Sequence, residues 1–181
     1  MTTFYLVRHA HADWSSDENR SLSAQGRKDA IRVADTLAEY PVDLIYSSPA
    51  TRARQTIVPF AERLGMQILV EPDLKERVLG EEKFEDFFGA VEATWRDPSF
   101  SYPGGESSAE AQKRGLAIVK GLQAKSMAKV IVLSTHGNLM ALILQGFDPS
   151  VDYYFWKSMT MPDIYLLKIG RKPTIQRIWR P

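Results

Sequence analysis

Short apolar runs that end in polar residues, each followed by helical spacing, constrain this chain more than any other feature. Phe4-Tyr5-Leu6-Val7 is such a run, and it opens into Arg8 and His9. Asp43-Leu44-Ile45-Tyr46-Ser47-Ser48, Gln67-Ile68-Leu69-Val70 and Lys129-Val130-Ile131-Val132-Leu133-Ser134 are three more. Between them, Ala30, Val33, Ala34, Leu37 and Ala38 recur at helical spacing, as do Ile57, Phe60, Ala61 and Leu64. Ser23 stands where it can cap the first of these helices, and Pro41 stops it. Gly65 suits the C-terminal end of the second. Further helices are expected over residues 107–125 and 138–145, and a closing strand pair over Asp163–Ile169 and Thr174–Trp179. Strands alternating with helices predict an α/β fold, a three-layer sandwich with a mainly parallel central sheet.

One stretch breaks the rhythm. Residues 71–108 are acidic and aromatic, with Phe84, Phe87, Phe88, Val91 and Trp95 at helical spacing, then Tyr102-Pro103-Gly104-Gly105. An inserted helical cap segment over about residues 77–112 is expected, packed on one end of the sheet, with the aromatic stripe read as its own core in preference to the alternative of a substrate wall. The Tyr153-Tyr154-Phe155 run and Trp156 are expected to serve packing. No repeat or linker divides the chain, so residues 1–181 read as one domain.

Composition excludes several classes. A formal net charge of +1 gives no basic field for nucleic acid. The absence of cysteine removes disulfides, thiolate catalysis and Cys-ligated zinc. No apolar run approaches the ~18–20 residues that span a bilayer, and the first residues lack the pattern of a signal peptide. A cytoplasmic address without membrane or nucleic-acid partners follows as the expectation; nothing in the sequence sets the oligomeric state.

The chain has three histidines, His9, His11 and His136, and all lie just past the first and fourth apolar runs. In sheets of this kind ligands bind beyond the carboxyl ends of the strands. Arg8, His9 and His136 sit at such ends, and Arg52 falls in the first turn of the helix after the second. Two arginines form a permanently cationic clamp suited to a phosphoryl group. Imidazole is a competent nucleophile at neutral pH. Gly137 would let backbone approach an anion closely. A leaving alkoxide needs a proton, and Asp73, Glu76, Glu81, Glu82 and Glu106 are the candidate donors. His9-Ala10-His11 is also an H-x-H arrangement that, with His136, could ligate a metal in a metal-dependent hydrolase; the arginine beside it speaks against that alternative.

These segments resemble the histidine phosphatase superfamily, which includes the phosphoglycerate mutases. Leu6-Val7-Arg8-His9-Ala10 is similar to its Arg-His-Gly signature, and Leu22-Ser23-Ala24-Gln25-Gly26 to its Leu-Ser-x-x-Gly. Ser47-Ser48-Pro49-Ala50-Thr51-Arg52 with Gln55-Thr56, Leu74-Lys75-Glu76, Pro103-Gly104-Gly105-Glu106-Ser107 and Ser134-Thr135-His136-Gly137-Asn138 follow in the family's order. The resemblance implies a phosphomonoesterase with His9 as phosphorylated nucleophile, Arg8, Arg52 and His136 holding the phosphoryl group, and Glu76 as general acid. It implies a small phosphorylated substrate or phosphate ion as ligand, and neither metal nor organic cofactor. The chain departs from the pattern at Ala10, where the family has glycine, at His11, and at Ser15, where the family often has a phosphate-binding asparagine. Ser15, His11 and Gly137 are accordingly expected as substrate contacts. A phosphoglycerate-type mutase and a phosphohistidine-protein phosphatase or regulatory binding module stand as alternatives on the same residues.

Overall fold

A computed structural model describes residues 1–15, 17, 19–125 and 130–181. Its centre is a six-stranded sheet. In chain order the elements are β1 (Thr2–Arg8), α1 (Ala24–Leu37), β2 (Leu44–Ser47), α2 (Thr51–Leu64), β3 (Ile68–Val70), a 3-10 turn at Pro72–Leu74, α3 (Phe87–Arg96), α4 (Ser108–Lys125), β4 (Val130–Thr135), α5 (Gly137–Gln145), α6 (Tyr153–Ser158), β5 (Asp163–Ile169) and β6 (Thr174–Arg177). The strands lie in the order β3-β2-β4-β1-β5-β6. The first four of that order run parallel, and β5 pairs antiparallel with both β1 and β6. The expected α/β sandwich is therefore present; the expected start of the fourth strand at Lys129 lies outside the described residues.

The two-residue period of a strand sorts its side chains between two helical layers. Tyr5 and Val7 of β1 face the layer that holds Val33, Ala34 and Leu37 of α1 with Ile57, Phe60 and Ala61 of α2. Phe4 and Leu6 face the other layer, with Ile118 and Val119 of α4 and the almost wholly buried α5. Ser23 caps α1 by accepting from Gly26 N–H, and Gly65 ends α2 in the left-handed conformation, φ 61°.

Between β3 and α4 the structure departs from expectation. The helix there begins only at Phe87, capped by Asp86, so Phe84 lies ahead of it and stacks edge-on against Tyr102. Of the expected aromatic stripe, Val91 is buried in the main core and Trp95 packs on it, while Phe87 and Phe88 stay half exposed. The stripe is thus not a separate core: its inner half joins the core of the sheet, and its outer half is left facing solvent. α6 has no counterpart in the sequence reading; it is six aromatic-rich residues held by burial of Tyr153 and Trp156.

Candidate active site

Strand register brings the site together. Arg8 of β1 pairs with Thr135 of β4, so the next residues, His9 and His136, leave the sheet side by side. Their ring centroids are 5.1 Å apart at an interplanar angle of 70°. His9 N–H donates to Thr135 O at 3.0 Å, and Ser48 N–H to Ser134 O at 2.9 Å, which ties down the end of β2 as well. α2 starts immediately afterwards and places Arg52 in its first turn.

Arg52 fixes the tautomers, because a guanidinium only donates. Its Nε donates to His9 Nε2 at 3.2 Å, so that nitrogen carries a lone pair, and His9 Nδ1–H donates to Ala10 O at 2.8 Å. Its Nη2 lies 3.3 Å from His136 Nδ1, which therefore accepts, and His136 Nε2–H donates to Ser48 Oγ at 2.8 Å. Both imidazoles turn an unprotonated nitrogen toward one guanidinium. Burial holds both well below the usual histidine pKa: His9 is 6% exposed and His136 1%. For His9 the further depressing neighbours are His136, Arg52 and Arg8; for His136 they are Arg52, Arg20, Arg8 and Arg114.

Glu76 lines the same cleft. Its Oε1 accepts from the backbone N–H groups of Arg77 and Leu139, each at 2.9 Å, and its Oε2 from Asn138 N–H at 3.0 Å. The carboxyl thus sits on the N-terminus of α5, and Oε2, with one donor only, retains a lone pair for a proton. Arg114 of α4 secures the loop. It holds Glu106 bidentately at 2.8 and 2.7 Å and donates to the carbonyls of Asp73 and Lys75. Glu106, a competing acid in the sequence, is thereby committed to Arg114.

Arg8 is fixed by Nη1 bonds to the carbonyls of Met159 at 3.0 Å and Thr160 at 3.3 Å. That turn hangs on Asp163, wholly buried, which accepts from Thr160 N–H at 2.9 Å and from Arg177 at 2.9 and 2.8 Å. Burial lowers the Arg8 pKa from its ordinary value, opposed by Glu76 and Asp163. Gly137 is required here: a Cβ would stand 2.8 Å from Arg8 Nε. Ala10 in place of glycine costs no strain, since among the described residues no non-glycine residue has positive φ; its N–H donates to Thr56 Oγ1 at 2.9 Å.

Arg8, His9, Arg52, Glu76, His136 and Gly137 all line one cleft of about 340 Å³. His11 reaches its edge but is exposed, with Nδ1 held by Ser23 Oγ at 2.8 Å. Ser15 is turned away, its Oγ shared with the backbone of Asp17. Among the described residues no three His, Cys, Asp or Glu side chains are grouped to hold a metal, so His9, His11 and His136 do not form the chelating set of the H-x-H alternative. Two further cations, Arg20 and Arg77, line the cleft without a signal in the sequence. Arg20 lines the cleft with a buried Nε that has no partner, and it helps depress His136. Arg77 is 5% exposed, donates to Ser108 Oγ at 3.3 Å, and has its pKa lowered by burial against the opposing pull of Glu76 and Glu106. Arg20 sits in a polar loop without periodicity, where charge alone is no signal; Arg77 was masked by its acidic neighbours.

Phosphatase-like chains resemble this one along most of its length. It is 30% identical over 162 residues to the "Uncharacterized phosphatase PhoE" of Bacillus subtilis, covering 83% of this chain and 81% of that one. It is 29% identical over 196 residues to "Phosphoglycerate mutase-like protein 4" of Arabidopsis thaliana, covering 96% and 83%. Its fold overlays on a mycobacterial glucosyl-3-phosphoglycerate phosphatase in complex with VO3 with a TM-score of 0.80 at 25% identity, over 98% of this chain and 97% of that one. The model of the histidine phosphatase superfamily (branch 1) matches residues 4–175, and the chain belongs to that family.

Proposed function

We propose that this protein hydrolyses small phosphate monoesters through a phosphohistidine formed on His9. The observation that carries the reading is the His9 Nε2 lone pair, held by the Nδ1–H bond to Ala10 O and pointed at the Arg52 guanidinium. Arg8, Arg20 and Arg52 receive the phosphoryl oxygens and offset the charge that repels a nucleophile. His9 Nε2 attacks phosphorus, the P–O bond to the leaving group breaks, and the departing oxygen takes the proton carried by Glu76 Oε2. Water then attacks the phosphohistidine, gives its proton back to Glu76, and the N–P bond breaks to release inorganic phosphate and restore His9. Depressed imidazole pKa values support this order, because they keep the nucleophile unprotonated. The segment over 77–112 belongs, in this reading, to the same domain as a cap over the cleft.

The test is alkaline quenching of a single turnover with p-nitrophenyl phosphate, followed by mass spectrometry of the His9 peptide kept at alkaline pH. Phosphate on His9 is expected, and His9→Ala should lose it together with roughly 1,000-fold or more of the turnover. Near-normal turnover in that variant removes the mechanism. Activity unchanged in excess EDTA separates it from the metal-dependent alternative.

A further inference from the structure

The cleft is cationic at its floor and apolar on its outer wall. Leu79, Phe87, Val91, Trp156 and Met161 line the same cavity as His9 and Arg8. Phe87 is 49% exposed and Met161 37%, although both are large and apolar. The Phe87 ring lies 5.7 Å from that of Phe88 and 6.4 Å from that of Trp156, so aromatic surface continues outward from the phosphoryl position. Trp156 is buried and gives this surface a fixed base. Three cations in or beside the segments that carry these residues are already engaged. Arg77 donates to Ser108 and lies in the field of Glu76 and Glu106. The Lys83 ammonium stands 5.2 Å from the Trp14 ring, and that of Lys157 5.4 Å from Phe88 and 5.6 Å from Tyr153.

Resting on the phosphatase reading above, we propose that the preferred leaving group is uncharged, bulky and apolar, an aryl or arylalkyl group that packs on Phe87 and Trp156. An ester of that kind puts its phosphoryl group among the arginines and its ring on the wall, covering apolar surface that otherwise stays in water. A leaving group with its own carboxylate or phosphate would instead be set against aromatic rings, beyond the arginines that hold the phosphoryl group.

The test compares primary alkyl esters of similar intrinsic reactivity: ethyl phosphate, 2-phenylethyl phosphate and phosphoserine. On the wild-type protein, kcat/KM for 2-phenylethyl phosphate should exceed that for ethyl phosphate by about tenfold to thirtyfold, and that for phosphoserine by at least as much. Phe87→Ala should shrink the phenylethyl-to-ethyl ratio about tenfold, and Phe87→Leu should restore part of it. Because Phe87 is half exposed, neither change opens a core cavity. A ratio near one in the wild type, a ratio untouched by Phe87→Ala, or a preference for phosphoserine overturns the proposal while leaving the phosphatase standing. Failure to hydrolyse any of the three esters or p-nitrophenyl phosphate overturns both.

Discussion

The floor of the cleft and its outer wall are built from different parts of the chain and do different chemistry. The floor comes from the carboxyl ends of β1, β2 and β4 and the N-termini of α2 and α5, and its histidines are almost wholly buried. The wall comes chiefly from the short helices α3 and α6, with Leu79 and Met161 beside them, and its Phe87 and Met161 stay partly in water. A parallel sheet fixes where its strands end, so the floor is held by backbone ladders that continue through the whole core. The wall has no such ladder and is held by side-chain packing and a few side-chain hydrogen bonds, such as that of Tyr153 Oη to Phe88 O at 3.3 Å. Reaction type should therefore reside in the floor and choice of substrate in the wall, and a change in either can be told apart by whether all esters suffer alike.

Arg52→Ala is the strongest way to break that division. The guanidinium touches both imidazoles, at 3.2 and 3.3 Å, so its loss removes phosphoryl contact and nucleophile orientation together. A fall of about 100- to 1,000-fold in kcat/KM is expected, equal within a few-fold for ethyl, 2-phenylethyl and p-nitrophenyl phosphates. Unequal losses among the three would mean that floor and wall are not separate.

The loop between β1 and α1 sharpens the comparison at a finer scale. Arg20 and Ser15 lie in the same loop, yet only Arg20 lines the cleft. Arg20→Ala should cost about tenfold to 100-fold in kcat/KM, read from steady-state kinetics, because the phosphoryl group loses one charged donor. Ser15→Ala should stay within about twofold, since its hydroxyl serves Asp17 in its own turn. The reverse order of effects would show that the loop rearranges when substrate binds.

What the sequence made legible follows the same boundary. The buried parallel strands are continuous apolar runs and the long helices repeat with period 3.6, so β1, β2, β4, α1 and α2 are readable, and the ends of those strands lead to Arg8, His9, Arg52 and His136. Glu76 was readable only through its motif; its backbone partners at the start of α5 depend on a loop conformation that no periodicity encodes. The wall misled for a physical reason. Phe84, Phe87, Phe88, Val91 and Trp95 have helical spacing, but Asp86 caps at residue 86 and begins the helix one residue later, which leaves Phe84 on Tyr102 and Phe87 in the cleft. α6 is built of aromatic residues that are mediocre helix formers and is decided by tertiary burial, so its role beside Phe87 could not be read from spacing. Ser15 stands where the family pattern often has a phosphate-binding asparagine, whereas Arg20, five residues on in the chain, lines the cleft.

The smallest effect concerns stability, and it tests the burial that distinguishes the floor. Both His9 and His136 have folded pKa values depressed well below 6.5, chiefly by burial. Above about pH 7.5 the two imidazoles are neutral in folded and unfolded chains alike, so they add no pH dependence there. As pH falls below that value the unfolded chain binds protons that the folded one refuses, and stability drops until the folded pKa values are reached. The expected slope between pH 6.5 and 5.5 is on the order of 1 kcal/mol per pH unit for each histidine, measured as a falling denaturation free energy in urea. His9→Ala should reduce that slope by about half even though it abolishes turnover, because the proton-linked penalty comes from desolvation rather than from chemistry. A slope of zero across that window would mean that the floor admits water to the imidazoles, and with that the separation of a dry, charged floor from a wet, apolar wall would fail.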